Sequence, residues 1–367
     1  MRWNWELSDW PKFYYDPDSI SDLERQFLLG VGRASAYLKT IGKDDYHRFV
    51  VEILSLEGLE SSKIEGEILD RESLQSSIQR HFGIQTPQKK RDKESRMAEL
   101  LCNVYESFEK PLTHEMLWQW HALLFEGLSS VTDCGKYRTH EEPMQIVSNR
   151  YDTPKVFYEA PPSARVFHEM TVFIDWFNST QVSILGKAAI AHIYFESIHP
   201  FEDGNGRLGR VLVEKTLSQG VKQPILIAIS KMLEKRKKEY YAALERCNRT
   251  LEVDHWVEFF TQVILQAHEE SMGLLYFLIE KSKMMSVLSG QINPRQTKVL
   301  LRMFEEGPAG FKGGLSAENY IAITKTTRAT ATRDLTDLVE KGALVKTGEL
   351  RHTRYRLKFY PAQKSRI

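Results

Sequence analysis

Cysteine is scarce: Cys102, Cys134 and Cys247 make three, an odd number with no CxxC pair. That excludes a disulfide framework and the usual zinc-ligand spacings. No apolar run approaches the ~20 residues needed to cross a bilayer. The opening Met1-Arg-Trp-Asn-Trp-Glu6 has no apolar stretch and does not read as a signal peptide. A cytoplasmic protein without a membrane partner is expected. No GxxxxGK[ST] string occurs, so a P-loop enzyme is excluded. Internal repeats and low-complexity tracts are absent. Net charge is nearly absent as well, +1 over 367 residues, so the molecule as a whole is not a polyanion binder.

What is present is the composition of a globular protein, 42% hydrophobic and 27% charged, long enough for two or three domains. The small net charge hides an asymmetry. Residues 295–367 carry 15 Lys+Arg against 7 Asp+Glu, while the rest of the chain is acidic. A basic C-terminal piece on an acidic body implies separate domains with separate partners.

The pattern is mainly helical. Apolar residues recur at helical spacing over Ile20–Thr40, Tyr46–Glu57 and Ser73–His81, and again from Met97 and over Met116–Phe125. Thr86–Glu94, polar and charged, reads as a linker. Between Gly135 and Ala164 the pattern changes: β-prone Met144–Val147 and Val156–Tyr158 flank a turn-rich Ser148–Pro154, which predicts a β-hairpin. Helices return at Ser163, over Ala188–Ile198, from about Gly206, and over Asp254–Ile279. Towards the C-terminus, helices are expected over Pro294–Phe304, Ala317–Ile323 capped by Ser316, and Arg328–Lys341 capped by Thr327. Two strands, Ala343–Lys346 and Tyr355–Phe359, would then complete a winged helix-turn-helix.

The concentrated chemistry lies in His199-Pro-Phe-Glu-Asp-Gly-Asn-Gly-Arg-Leu-Gly-Arg210. Pro200 ends the helix before it. A glycine-rich loop that opens the next helix aims backbone N–H groups and the positive end of the helix dipole at one spot, an anion site. Arg207 and Arg210 add forked donors suited to phosphate. Asp203 is a hard oxygen ligand of the kind Mg²⁺ takes. His199 can accept a proton near neutral pH. Together these residues suggest phosphoryl or nucleotidyl transfer. His140, His168, His192 and His255 read as surface or packing histidines.

This segment resembles the Fic-family motif His-x-Phe-x-Asp/Glu-Gly-Asn-Gly/Lys-Arg-x-x-Arg at every defined position. The resemblance implies a helical Fic core over 95–280 with a β-hairpin flap, preceded by an N-terminal helical domain over 1–90; the C-terminal pattern adds a winged helix domain over 290–367. The resemblance also implies transfer of AMP from ATP, with Mg²⁺, to a Ser, Thr or Tyr hydroxyl of a target protein or of the chain itself. His199 would be the general base and Asp203 the metal ligand. Gly204, Asn205 and Gly206 would cradle phosphates, Arg207 would meet the β-phosphate and Arg210 the γ-phosphate. Gly206, where phosphorylating relatives often carry Lys, fits adenylylation. The hairpin is similar to the flap that covers the nucleotide and docks the target segment. Val156, Phe157, Tyr158 and Glu159 match its nucleotide-side positions, and Tyr240 and Asn248 match residues that line the adenosine site. Ser61-Ser-Lys-Ile-Glu65-Gly66 resembles the family's inhibitory motif, in which Glu65 would pair with Arg210 and exclude the γ-phosphate.

The expected partners are the target hydroxyl on the flap, a second copy of the chain and, for the winged helix, either DNA through Arg328, Thr330 and Arg333 and the wing residues Arg351, Arg354 and Arg356, or another protein. The competing readings are a DNA-binding regulator whose Fic core senses nucleotide, and a Fic enzyme that uses another donor or removes AMP.

Overall fold

The computed structural model describes residues 2–83, 92–147, 155–308 and 310–358. The chain folds as two compact units, one of Met1–Lys39 with Val50–Ser271, the other of Thr40–Phe49 with Met272–Ile367. Among the described residues no helix is long and apolar enough to cross a membrane.

The helices before the hairpin are α1 (Ser21–Leu38), α2 (Lys43–Ile64), α3 (Arg71–His81), α4 (Lys93–Ser107) and α5 (His114–Phe125). Side-chain caps start three of them. Asp70 accepts from Ser73 N, Asp92 from Ser95 N and Thr113 from Met116 N, each satisfying a donor the helix cannot. The expected linker Thr86–Glu94 lies outside the described residues up to position 91, and Asp92 already caps α4. Helix α2 runs seven residues past the expected Glu57. Gly58 does not break it, because a Cβ there would meet Leu101 Cδ1 at 2.9 Å and Met97 Cγ at 3.0 Å. This glycine lets helices approach closely rather than ending one, so Ser61 sits on a helix.

The hairpin pairs β1 (Gln145–Val147) with β2 (Val156–Glu159), antiparallel, Gln145 opposite Glu159 and Ile146 opposite Tyr158. The expected turn Ser148–Pro154 lies outside the described residues. Then follow α6 (Ser163–Ser179), α7 (Ile184–Ile198), α8 (Asn205–Val221), α9 (Ile229–Lys235), α10 (Lys237–Cys247) and α11 (Asp254–Val287). Helix α7 is apolar on nearly every side and buried accordingly. Trp256, wholly buried, donates its indole N–H to Ala189 O at 2.8 Å. Phe27, Leu185, Val213, Leu217, Phe260 and Ile264 belong to the same core. That packing fixes the C-terminal end of α7 and the start of α8, where the glycine-rich segment lies.

In the second unit, α12 (Pro294–Glu305), α13 (Ala317–Thr324) and α14 (Arg328–Glu340) precede β3 (Leu344–Thr347) and β4 (Arg354–Leu357). Ser316 and Thr327 cap α13 and α14 as expected. Phe359, expected in the last strand, lies outside the described residues. Val299, Leu335, Leu338 and Tyr355 share a core. The buried Asp334 accepts from Arg295, Tyr320 and Asn293.

Candidate active site

Helix α7 stops at Ile198 because Pro200 cannot continue it. His199 takes a left-handed conformation, φ 49° and ψ 61°, a strain of roughly 1 kcal/mol or more for a residue with a Cβ. Arg138, 2% exposed, holds it there. Its Nε donates to His199 O at 2.9 Å, its guanidinium also reaches Ser163 Oγ and Pro161 O, and its own N–H donates to Pro200 O at 3.0 Å. Nothing in the sequence singled out this arginine.

The loop is stapled from within. Asn205 Oδ1 accepts from Phe201 N at 2.9 Å and its Nδ2 donates to Phe201 O at 2.8 Å. The side chain of Asn205, 2% exposed, therefore shapes the loop instead of facing a phosphate. Helix α8 begins at Asn205, not at Gly206–Arg207. Phe201 stacks on His121 with centroids 4.2 Å apart. His121 Nδ1 accepts from Gly135 N at 3.0 Å, which leaves Nε2–H to face Asp203 O at 3.3 Å. Gly204 has φ 82°, and a Cβ there would meet Phe125 at 2.6 Å. Only glycine satisfies both conditions.

His199 is mostly buried, its side chain 14% exposed. Burial, aided by the charge of Arg138, pushes its imidazole down to about 4, so it is neutral at pH 7. Its Nδ1 lies 3.8 Å from Oε2 of Glu196, a residue the sequence did not flag. Burial and the nearby Glu65 push the Glu196 carboxyl up to about 8.

Both arginines of the segment are engaged by acids from the end of α2. Arg210, its side chain 1% exposed, donates through Nη2 to Glu65 Oε1 at 2.7 Å, and through Nε and Nη2 to Ser61 Oγ and Ser61 O. Burial would raise the Glu65 carboxyl, but the charge and hydrogen bond of Arg210 outweigh it and hold Glu65 below its usual value. Gly206 leaves room for this contact, since a Cβ there would stand 2.2 Å from Glu65 Oε1. Gly66, φ 83°, ends the turn after α2. Arg207 donates to Glu67 Oε2 at 3.0 Å and lies over the Phe125 ring. Asp203, its side chain 59% exposed, accepts from Gly204 N.

The expected nucleotide-side residues separate into two groups. Along a strand successive side chains alternate, so four consecutive residues cannot share a face. Val156 and Phe157 are partly exposed, whereas Tyr158 is 3% exposed and turns inward. Its hydroxyl lies 2.8 Å from both Asn4 Oδ1 and Ser197 O. Glu159 accepts from Gln145 Nε2 at 2.7 Å. Tyr240 is enclosed as well. It is 2% exposed, stands among Trp256 and His192, and meets His192 Nε2 at 2.8 Å. Tyr241, the next residue, is 44% exposed; helical periodicity cannot separate such neighbours without knowing where the core lies. Asn248 Nδ2 donates to Phe157 O at 2.9 Å and so joins α10 to β2.

The N-terminal segment, which carried no chemistry by sequence, closes this corner. Asn4, wholly buried, donates to Ser197 Oγ and Cys247 O and, through its backbone, to Asn248 O. Trp5 donates to Glu159 O at 2.7 Å.

Residues 111–217 match the model of the Fic/DOC family, and residues 3–84 match a family described as a domain of unknown function, DUF4172. A protein adenylyltransferase Fic of Nematostella vectensis is 31% identical over 115 residues, 30% of this chain and 25% of that one. A probable protein adenylyltransferase of Aquifex aeolicus is 38% identical over 61 residues, 16% of this chain and 19% of that one. The chain thus spans a quarter or less of the length of these curated relatives. Among solved structures, a Fic family protein from Desulfovibrio desulfuricans superposes with a TM-score of 0.57 at 22% identity, covering 95% of this chain and 98% of that one. A Fic domain-containing signalling protein from Bacteroides thetaiotaomicron gives 0.51 at 19%, covering 71% and 96%. At such identities the structures share the fold. The chain carries a Fic/DOC family domain, and the segment His199–Arg210 lies within it.

Proposed function

We propose that the chain is a protein adenylyltransferase whose active site, His199–Arg210, is held inactive by Glu65. The observation that carries this reading is the contact of Glu65 with Arg210 beside a neutral, buried His199. In the reaction, Nε2 of His199 takes the proton of a target hydroxyl and the freed oxygen attacks the α-phosphorus of ATP. The bond to the bridging oxygen breaks and pyrophosphate leaves. Arg207 and Arg210 bind phosphate oxygens through forked donors, and the first turn of α8 offers backbone N–H groups to the anion. Phe157, on the face of β2 opposite Tyr158, lines the nucleotide with Tyr241, while Tyr158 and Asn248 hold that wall in place.

Among the described residues no cluster of three His, Cys, Asp or Glu could cage a metal. A single exposed carboxylate at the mouth of the loop, Asp203, fits Mg²⁺, which binds through one or two carboxylates and substrate phosphates. When bound, the ion would neutralise phosphate charge. The second unit is read as a winged helix, with Arg328 and Arg333 exposed on α14.

The test is transfer of label from α-labelled ATP, scored on the chain itself and on lysate proteins. The Glu65→Gly variant is expected to label strongly and the Glu65→Gly, His199→Ala variant not at all. Equal labelling by wild type and Glu65→Gly would remove the inhibition, and labelling without His199 would remove the mechanism.

A further inference from the structure

On α7, Glu196 stands about one turn before His199, a spacing that puts two side chains on one helix face. Its carboxyl turns towards the imidazole, with Oε2 3.8 Å from Nδ1 and the two side chains 12% and 14% exposed. Gly209 of α8 makes the space for it. A Cβ there would stand 2.7 Å from Glu196 Oε1 and 3.1 Å from His192 Nδ1.

Oε1 of Glu196 and Nδ1 of His199 are both buried, and among the described residues neither makes a hydrogen bond of ordinary geometry. Buried polar groups left unmet are costly, and native folds keep few of them without a use. Two parts of Glu196 face the ring: its main-chain carbonyl, which favours a proton on the imidazole, and its carboxyl. A proton on Nδ1 leaves Nε2 bare, the atom that takes the proton of the target hydroxyl.

Other charged or titratable groups surround the pair. Glu65 of α2, Arg210 of α8, Tyr240 of α10 and His192 of α7 stand about the Glu196 carboxyl, while Arg138 and Asp203 act on His199. Burial first, then the charge of Glu65, push the carboxyl up to about 8 against the pull of Arg210. With Glu65 in place it is therefore mostly protonated at pH 7.

We infer that Glu196 is a positioning residue for the base: its carboxylate holds the Nδ1–H of His199 and balances the positive charge that the ring gains with the proton of the target hydroxyl. The inference rests on the adenylyltransferase reading. The hydroxyl proton goes to Nε2, Nδ1 keeps its own, and none passes to Glu196. Only the ionised carboxyl can balance the charge, so transfer follows its ionisation.

The experiment uses the full chain carrying Glu65→Gly and measures AMP transfer from α-labelled Mg-ATP from about pH 6 to 9. The rate is expected to rise with pH to a plateau. Its midpoint should lie below the value that Glu65 helps to set. Adding Glu196→Gln is expected to lower the plateau about tenfold, from the attraction of charges about 4 Å apart, and to abolish the rise. The half-saturating Mg-ATP concentration should stay the same. Glu196→Asp, which keeps the charge, is expected to recover part of the rate and the rise. An unchanged rate and profile in Glu196→Gln overturns the inference. So does a loss that leaves the pH rise intact and that Glu196→Asp does not correct, since that marks a structural role.

A second measurement reads the pair without any transfer. NMR of the same chains grown with nitrogen-labelled histidine, with His199 assigned by its absence in His199→Gln, should show the His199 ring nitrogens shifting as Glu196 ionises. Glu196→Gln should remove that step. Absence of the step in the Glu65→Gly chain overturns the pairing. A Glu196-dependent step in a chain that transfers no AMP keeps the pairing and overturns the adenylyltransferase reading instead.

Discussion

Arg210 meets Glu65 with Nη2 and Oε1 2.7 Å apart, the arginine buried and the carboxylate about one-third exposed. The exposed partner is the one free to leave. Replacing it therefore changes both activity and stability. Glu65→Gln keeps the shape and removes the charge, so AMP transfer is expected to rise, by less than in Glu65→Gly. The unpaired Arg210 costs about 1–2 kcal/mol, discounted from the buried-pair value for the exposure of Glu65. Melting curves should show that loss, and Mg-ATP should reverse it in the variant more than in wild type. A variant as inactive as wild type would separate the ion pair from the inhibition.

Three histidines couple the fold to pH. Burial holds His199 and His121 down to about 4 and His192 down to about 3. Each is neutral when folded and has an ordinary value near 6.5 when unfolded. Their contribution is complete above pH 6.5, declines as pH falls below it, and is lost as pH falls through the folded values. Between pH 6.5 and 4, stability should drop by up to about 1.4 kcal/mol per pH unit per histidine. Denaturant midpoints across that range measure it. Buried Glu57, Glu196 and Glu214, whose carboxyls are raised, titrate with the opposite sign in this range, so the histidine share is read against a His121→Gln variant; an unchanged pH slope there would contradict it.

Asn4 offers a test remote in sequence from the catalytic segment. Asn4→Ala removes two donated and two accepted side-chain hydrogen bonds at a wholly buried position. A cost of about 2–4 kcal/mol is expected. Because Tyr158 and Ser197 lose their shared partner, β2 should lose its fixed position relative to His199. Self-modification by Asn4→Ala, Glu65→Gly enzyme should fall more than its ATP affinity does. Equal falls in both would assign Asn4 to stability alone.

The second unit makes a separate prediction. Arg328 and Arg333 are exposed at the start of α14. Retardation of a DNA duplex should weaken steeply with salt, and replacing both arginines with alanine should reduce the salt slope by about two. Retardation insensitive to both residues would place any nucleic-acid contact elsewhere.

The catalytic segment was legible because its chemistry is local. His199, Asp203, Arg207 and Arg210 are spaced by a helix end and a helix start, and both follow from Pro200 and the glycines. The Glu65–Arg210 pair was legible by resemblance. What escaped was long-range. Arg138 binds main-chain carbonyls at 161 and 199, and carbonyls carry no sequence signature. Tyr240 and Tyr241 differ only in which one faces a core assembled from other helices. The helix expected to end at Glu57 runs on through Gly58, whose place is set by the side chains of Leu101 and Met97. Asn4 and Glu67 are ordinary polar residues until folding places them beside the site.

Asn4 and Cys247 are 243 positions apart and share a hydrogen bond. Contacts so distant along the chain form late, after the intervening loop entropy has been overcome. During synthesis Tyr158 and Ser197 emerge before Cys247 and Asn248, so the last ties of Asn4 wait for α10. The N-terminal segment therefore reaches its final place beside β2 only after α10 has been released.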